Sequence, residues 1–291
     1  MATLIDLRRR IQSVRNSQQI TQAMKTVSTA KFRKAQRTVQ EARPFWHLFP
    51  DLMDRLAYFA AAGTHPLLLR RDEKRIAVVV ITADKGLAGA YNSNLLEAAD
   101  AFIAGKQRGQ GAAVRLVLIG KKAVAHFRKR PEPVDRAYGD RTDRLAREEL
   151  RDLAELLMRE YTFQRTDAVY IVSNEFKSIL APRIMTHQVL PVDPRPGGEP
   201  SATWRPDWDP GADRLAAFIL PLCVESQIHH AFHESQAAEQ AARMMAMDNA
   251  TKNAGELIDD LVLQLNKIRQ AGITKELLEI MTAVEALRQN D

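Results

Sequence analysis

The stretch IAVVVITADKGLAGAYNSN, Ile76 to Asn94, decides what the middle of this chain is. Its apolar, β-branched start reads as a buried strand. A loop with glycines at 86 and 89 follows, and a polar, helix-compatible segment begins near Asn92. Many nucleotide-binding domains cradle phosphate with that order of strand, glycine-bearing turn and helix start. The loop nevertheless lacks both phosphate fingerprints. There is no G-x-x-x-x-G-K-[ST], the match to G-x-G-x-x-G is incomplete, and no acidic residue closes a strand about 20 residues later. Gly86 and Gly89 are therefore expected to serve the loop's own folding, and no cofactor is expected.

Outward from this stretch the strand–helix alternation continues. RLVLIG and AVYIVSN are further short apolar runs, with helical stretches near 92–105, 121–130 and 143–161. Strands alternating with helices imply a mainly parallel sheet with right-handed crossovers. The segments PVDPRPGGEP and WRPDWDPGAD are too rich in proline and glycine for a regular element and read as a linker.

Both ends of the chain have the helical period instead. Leu4, Leu7, Ile11 and Val14 step by three and four, and Ile20, Met24 and Val27 continue an apolar stripe. Pro44 and Pro50 are expected to kink or break this helix, since each lacks a backbone donor. After Gly211 the chain reads as one helix to about residue 290. Ile258, Leu261, Leu265 and Ile268 form one stripe, and Leu277, Ile280, Val284 and Leu287 another, with the phase slipping near Gly272. At 1.5 Å per residue such a helix reaches on the order of 110 Å, so it must project from any compact domain. The expected architecture is an α/β domain at 75–200 between helices at 1–60 and 211–291 that pair as an antiparallel coiled coil.

The chain has 291 residues, 45% hydrophobic and 27% charged, which is ordinary soluble composition. No run of about 18 apolar residues is long enough to span a bilayer. The Arg-rich start lacks an apolar h-region, and Asp6 with the helical pattern behind it argues for structure over a cleaved leader. A single cysteine, Cys223, allows no internal disulfide, fits a reducing compartment and reads as a packed thiol. Net charge is +6, and up to Arg43 ten Lys or Arg face only Asp6 and Glu41. Such a basic arm wants an acidic partner.

Catalytic constellations are missing. There is no G-x-S-x-G, and the carboxylates are scattered along helix faces. His229 and His233 stand one helical turn apart, a spacing that can bind zinc, but no further ligand is evident in the sequence. The alanine-rich segment around Met244, Met245 and Met247 reads as a close helix–helix seam.

Three stretches together resemble the gamma-subunit family of F-type ATP synthases: RRRIQSVRNSQQITQAMKTVSTAKFRKAQ, ITADKGLAGAYNSN, and the long block from ESQAAEQAARMMAMDNATKNAGE to ITKELLEIMTAVEAL. The resemblance implies a rotor shaft built from the two terminal helices, with a small Rossmann-like α/β domain as its base. It implies a ring of three alpha and three beta subunits around the shaft, with ATP chemistry on beta. It further implies an epsilon subunit and a membrane c-ring at the base, at the cytoplasmic face of a bacterial inner membrane. By motif, Met24 and Lys25 are expected to face an acidic loop of beta, and Arg269, Gln270 and Thr274 to make polar contacts with beta. No catalytic residue, metal or nucleic acid is implied. Ala88 stands where many relatives have cysteine, and one cysteine excludes the chloroplast-type thiol switch. A nucleic-acid-binding coiled coil would explain the basic arm but not the α/β segment. A free-standing α/β enzyme would have no use for the long terminal helix.

Overall fold

A computed structural model describes residues 4–59, 65–140, 142, 145–177, 183–192 and 212–288. The chain runs α1 (Leu4–Phe59), β1 (Arg75–Ile81), α2 (Tyr91–Gln110), β2 (Ala113–Ile119), α3 (Lys121–Phe127), β3 (Val134–Tyr138), α4 (Arg147–Thr162), β4 (Ala168–Glu175), β5 (Arg183–Leu190) and α5 (Ala212–Arg288). It divides into two compact units, one of Ser28–Arg243 and one of Met1–Val27 with Met244–Asp291.

The larger unit is built on a five-stranded sheet in the order β3-β2-β1-β4-β5. The first four strands are parallel, and β5 runs antiparallel to β4. Alternation along β1 sorts the two faces. Ile76, Val78 and Val80 point to α2 and α3, against Leu95, Ile103 and Phe127. Ala77, Val79 and Ile81 point to the other face, where α4 supplies Leu150, Leu153 and Leu157, and the start of α5 supplies Leu220, Val224 and Ile228. Because both faces are covered, β1 is apolar at nearly every position. Cys223 is buried in this second layer, and burial pushes its thiol pKa up.

Sequence reading found the central strands and missed the edges. β3, VDRAY, is exposed along most of its length, and β5, RIMTHQVL, is exposed or half-buried over its first six residues. Edge strands need no continuous apolar run, and charge on them blocks unwanted pairing.

In α1 the helix passes through Pro44 and Pro50 without a break, contrary to expectation. Pro44 is exposed, as is Gln40 four residues before it, so the carbonyl left without a donor can be hydrated.

In the smaller unit, Leu7 and Ile11 of α1 pack on Ile258 and Leu261 of α5, with Val14, Val262 and Leu265 beside them. Further along α1, Gln18 Nε2 donates to the Thr251 carbonyl (3.4 Å), Thr21 Oγ1 meets Thr251 Oγ1 (2.8 Å), and Lys25 Nζ meets Asp248 Oδ1 (2.6 Å). Numbers fall in α5 as they rise in α1, so the pair is antiparallel. Among the less exposed positions of α1 are Leu7, Ile11, Val14, Gln18, Thr21, Lys25, Ser28, Phe32, Ala35 and Val39. They alternate steps of four and three, a coiled-coil period. Thus the stripe through Ile20, Met24 and Val27 is one position out of phase with the packing, and Ile20 and Val27 are 61% and 57% exposed. On α5 the seam ends near Leu265. Beyond it Ile273, Leu277, Leu278, Ile280 and Met281 are all more than half exposed.

Candidate functional site

In an open α/β sheet a ligand crevice lies at the carboxyl ends of the strands where the order of connection reverses. Here that point is between β1 and β4, since β1 lies between β2 and β4. The crevice is occupied by α5. Ser235 Oγ donates to the carbonyl of Ile81, the last residue of β1 (3.4 Å), and Tyr91 hydroxyl bonds Ser235 Oγ (2.8 Å). The amide of Phe176, just past β4, donates to Glu234 Oε2 (2.9 Å). Burial raises the Tyr91 pKa, with the Glu239 charge adding to it, so its proton stays in this contact.

The loop between β1 and α2 is likewise held by the chain's own groups. Asp84 accepts from the amides of Lys121 and Asp140 (2.9 Å each), from the Thr142 amide (2.8 Å) and from its hydroxyl (2.5 Å). These donors outweigh partial burial and hold the carboxyl below its ordinary pKa. The carboxylate thus ties the β1–α2 loop to the start of α3 and to the segment after β3. Asn92 Oδ1 accepts from the Ala83 amide (3.0 Å) and ties the loop to the start of α2.

Arg243 fastens the loop's tip to α5. Its guanidinium donates to the carbonyls of Lys85 (3.3 Å) and Gly86 (3.3 and 3.4 Å), and to Glu239 Oε1 (2.7 Å). Both charged side chains are 9% exposed. Gly89 has φ 56°, the left-handed conformation a side chain disfavours. Gly86 does not; the other left-handed residue in the loop is Leu87, φ 60°, which is 63% exposed. A third glycine, Gly120 after β2, has φ 97°, and a Cβ there would lie 2.2 Å from the Thr82 carbonyl oxygen. Sequence reading did not single out Asp84, Gly120, Ser235, Glu239 or Arg243. The i,i+4 spacing of Glu239 and Arg243 within an alanine-rich helical stretch was the available signal for one buried pair.

The residues expected to touch beta fall in two groups. Met24 and Lys25 are half-buried on α1, and Lys25 is paired with Asp248. Arg269, Gln270 and Thr274 are exposed on α5, where Thr274 Oγ1 donates back to the Gln270 carbonyl (3.0 Å). At 1.5 Å per residue, Arg269 stands roughly 30 Å along α5 from Asp248. His229 and His233 stack with ring centroids 6.1 Å apart, and among the described residues no three His, Cys, Asp or Glu converge as a metal site.

Long helices at both ends of the chain, with a β3-β2-β1-β4-β5 sheet whose ligand crevice is filled by one of them, set this fold apart from the nucleotide-binding α/β class. The fold is similar to a chain of the Euglena gracilis mitochondrial ATP synthase OSCP/F1/c-ring structure in rotational state 3. The TM-score is 0.67 at 19% identity, over 98% of this chain and 94% of that one. A family model described as ATP synthase matches residues 3–287. The ATP synthase gamma chain of Desulforudis audaxviator is 40% identical over 99% of this chain and 100% of its own length. That of Solibacter usitatus is 43% identical over 98% and 99%. The chain belongs to the ATP synthase gamma chain family.

Proposed function

We propose that this chain is the central rotor shaft of an F-type ATP synthase and carries no catalytic site of its own. Residues 1–60 and 211–291 form the shaft and 75–200 the base. The shaft stands in a ring of three alpha and three beta subunits, with epsilon and the c-ring at the base, on the cytoplasmic face of a bacterial inner membrane. An asymmetric shaft within a three-fold ring touches each beta subunit differently. It biases each toward a different state to the extent that its contacts differ in free energy between states. Rotation changes which subunit is biased, driven by ions that each carry roughly 2.3 kcal/mol per 100 mV of membrane potential.

The observation that carries this reading is the end of α5, where five large apolar side chains from Ile273 to Met281 are more than half exposed. A helix with apolar groups on several sides is not stable in water alone and calls for an apolar sleeve. Met24, Lys25, Arg269, Gln270 and Thr274 are proposed as contacts with beta. The test is to purify the tagged chain from its native membrane and identify what comes with it. An alpha, beta, epsilon and c set, with ATP-driven rotation of a bead fixed to this chain, is the expected result. Recovery of the chain alone, or with nucleic acid, would overturn it.

A further inference from the structure

A cleft of about 320 Å³ opens in the larger unit between the second half of α1, the first turn of α4 and the first half of α5. Its apolar walls are Trp46, Leu145, Leu150 and Leu222. That size is at the small end of ligand pockets, which run roughly 300–1,000 Å³. Two polar groups of α5, Glu225 and His229, face each other within it. Glu225 Oε1 lies 3.7 Å from His229 Nε2, and the two side chains are 17% and 13% exposed. The His229 Nε2 atom is buried and has no hydrogen-bond partner. At 3.7 Å the two atoms are too far apart to bond each other, since N–H···O bonds lie at about 2.7–3.2 Å. A donor placed between them would reach both.

We propose that this cleft binds a small organic cation, a primary ammonium on an apolar body, held between the Glu225 carboxylate and His229 Nε2 with the body against Trp46 and the leucines. Burial, with the nearby Arg147 charge adding to it, lowers the His229 pKa, so at neutral pH the ring is uncharged and one of its nitrogens is free to accept. An ammonium has three donors to offer, enough for both acceptors. Glu225 also supplies the sign of the charge. The other ion at the cleft, Arg147, is exposed, so water and salt screen its repulsion, whereas the carboxylate is mostly buried. An indole face is the best of the aromatic surfaces for a cation passing over it. Trp46 already packs against His230 in a tilted ring contact, centroids 4.3 Å apart, which holds its ring beside the cleft.

The full-length chain is titrated with phenethylamine while the His229 and Trp46 ring signals are followed by NMR. Saturable shifts of both rings are expected. The neutral isostere 2-phenylethanol should bind at least about tenfold more weakly, as should phenethylamine to Glu225→Gln, because a charge-assisted hydrogen bond is lost in each case. Leu222→Trp, which fills the cleft from its partly exposed wall, should abolish the shifts while the circular dichroism spectrum stays unchanged. Equal affinity for amine and alcohol, unaltered amine binding in Glu225→Gln, or shifts that rise without saturating would each overturn the proposal.

Discussion

Lys25 on α1 and Asp248 on α5 form an ion pair at 2.6 Å, at a seam position where a coiled coil ordinarily has an apolar residue. Asp248 also holds Lys252 at 2.9 Å, and its pKa is lowered by the hydrogen bonds from Lys25 and then Lys252. With Thr21 on Thr251, the pair makes this part of the seam polar, which favours one register over its neighbours. Asp248→Lys should bring three cations together and loosen the helix pair. Lys25→Glu combined with Asp248→Lys should restore it. Disulfide trapping between cysteines at 18 and 255 reads the outcome: efficient in the native chain and the double exchange, poor in the single one.

Gly120 has little room to change. Gly120→Ala places a methyl group against the Thr82 carbonyl in a conformation that side chains rarely adopt. Urea unfolding should show a loss of about 3 kcal/mol or more. Gly111, at φ 62° but facing open space, is the control, and Gly111→Ala should cost only about 1–2 kcal/mol.

The buried Glu239–Arg243 pair predicts non-additivity. Arg243→Met takes the cation away from a buried carboxylate and should destabilise the larger unit by about 3–5 kcal/mol. Removing both charges, with Glu239→Leu added, should recover most of the loss, although the Lys85 and Gly86 carbonyls lose their donor in either case. Two equally unstable variants would mean that the loop contacts matter more than the charge pair.

Acid should weaken the fold in a window set by His229 and His233. Burial lowers both pKa values below the ordinary 6.5, and electrostatic repulsion pushes the same way: from Arg147 on His229, and from His229 then His230 on His233. On His233 a hydrogen bond with Gln236 partly opposes this. The unfolded chain therefore takes up protons first as pH falls below about 6.5. Stability is complete above that value and declines beneath it. His65 is also lowered by burial and contributes in the same window. Asp84 and Asp167, both lowered, act only at more acid pH. Urea midpoints at pH 7.5 and 5.5 should differ clearly in the native chain, and by less in His229→Gln/His233→Gln.

Arg269 and Gln270 are adjacent, exposed and polar beyond the end of the helix seam. Replacing both by alanine should leave assembly with alpha and beta intact and lower ATP turnover. A hydrogen bond to an ionised group is worth roughly 1.5–3 kcal/mol, so losses of tenfold or more are expected if such bonds form in the limiting state. Unchanged synthesis and hydrolysis in an assembled double variant would remove these residues from the contact set.

The sequence made the central strands legible because β1, β2 and β4 are covered on both faces and so carry unbroken apolar runs. It hid β3 and β5, whose exposed edges have no such run. Chain-end periodicity announced the helices, but their seam was misplaced by one position. Gln18, Thr21, Lys25 and Ser28 occupy it, and these polar residues look like solvent positions until their partners on α5 are known. The same blindness covered the loop. Asp84 reads as one more surface acid, and its donors at 121, 140 and 142 are brought to it only by the sheet. The proposed contacts with beta rest on resemblance alone, since an exposed Arg or Gln on a helix carries no mark of its partner.

Asp84 has one further consequence. A free anion binding at those amides would stabilise the folded state only in proportion to its concentration, so folding would follow the nucleotide or phosphate level of the cell. A tethered carboxylate is present at an effective concentration that dissolved ions rarely reach, and it is never exhausted. The larger unit thus carries its own anion for these amides, in a fixed one-to-one ratio.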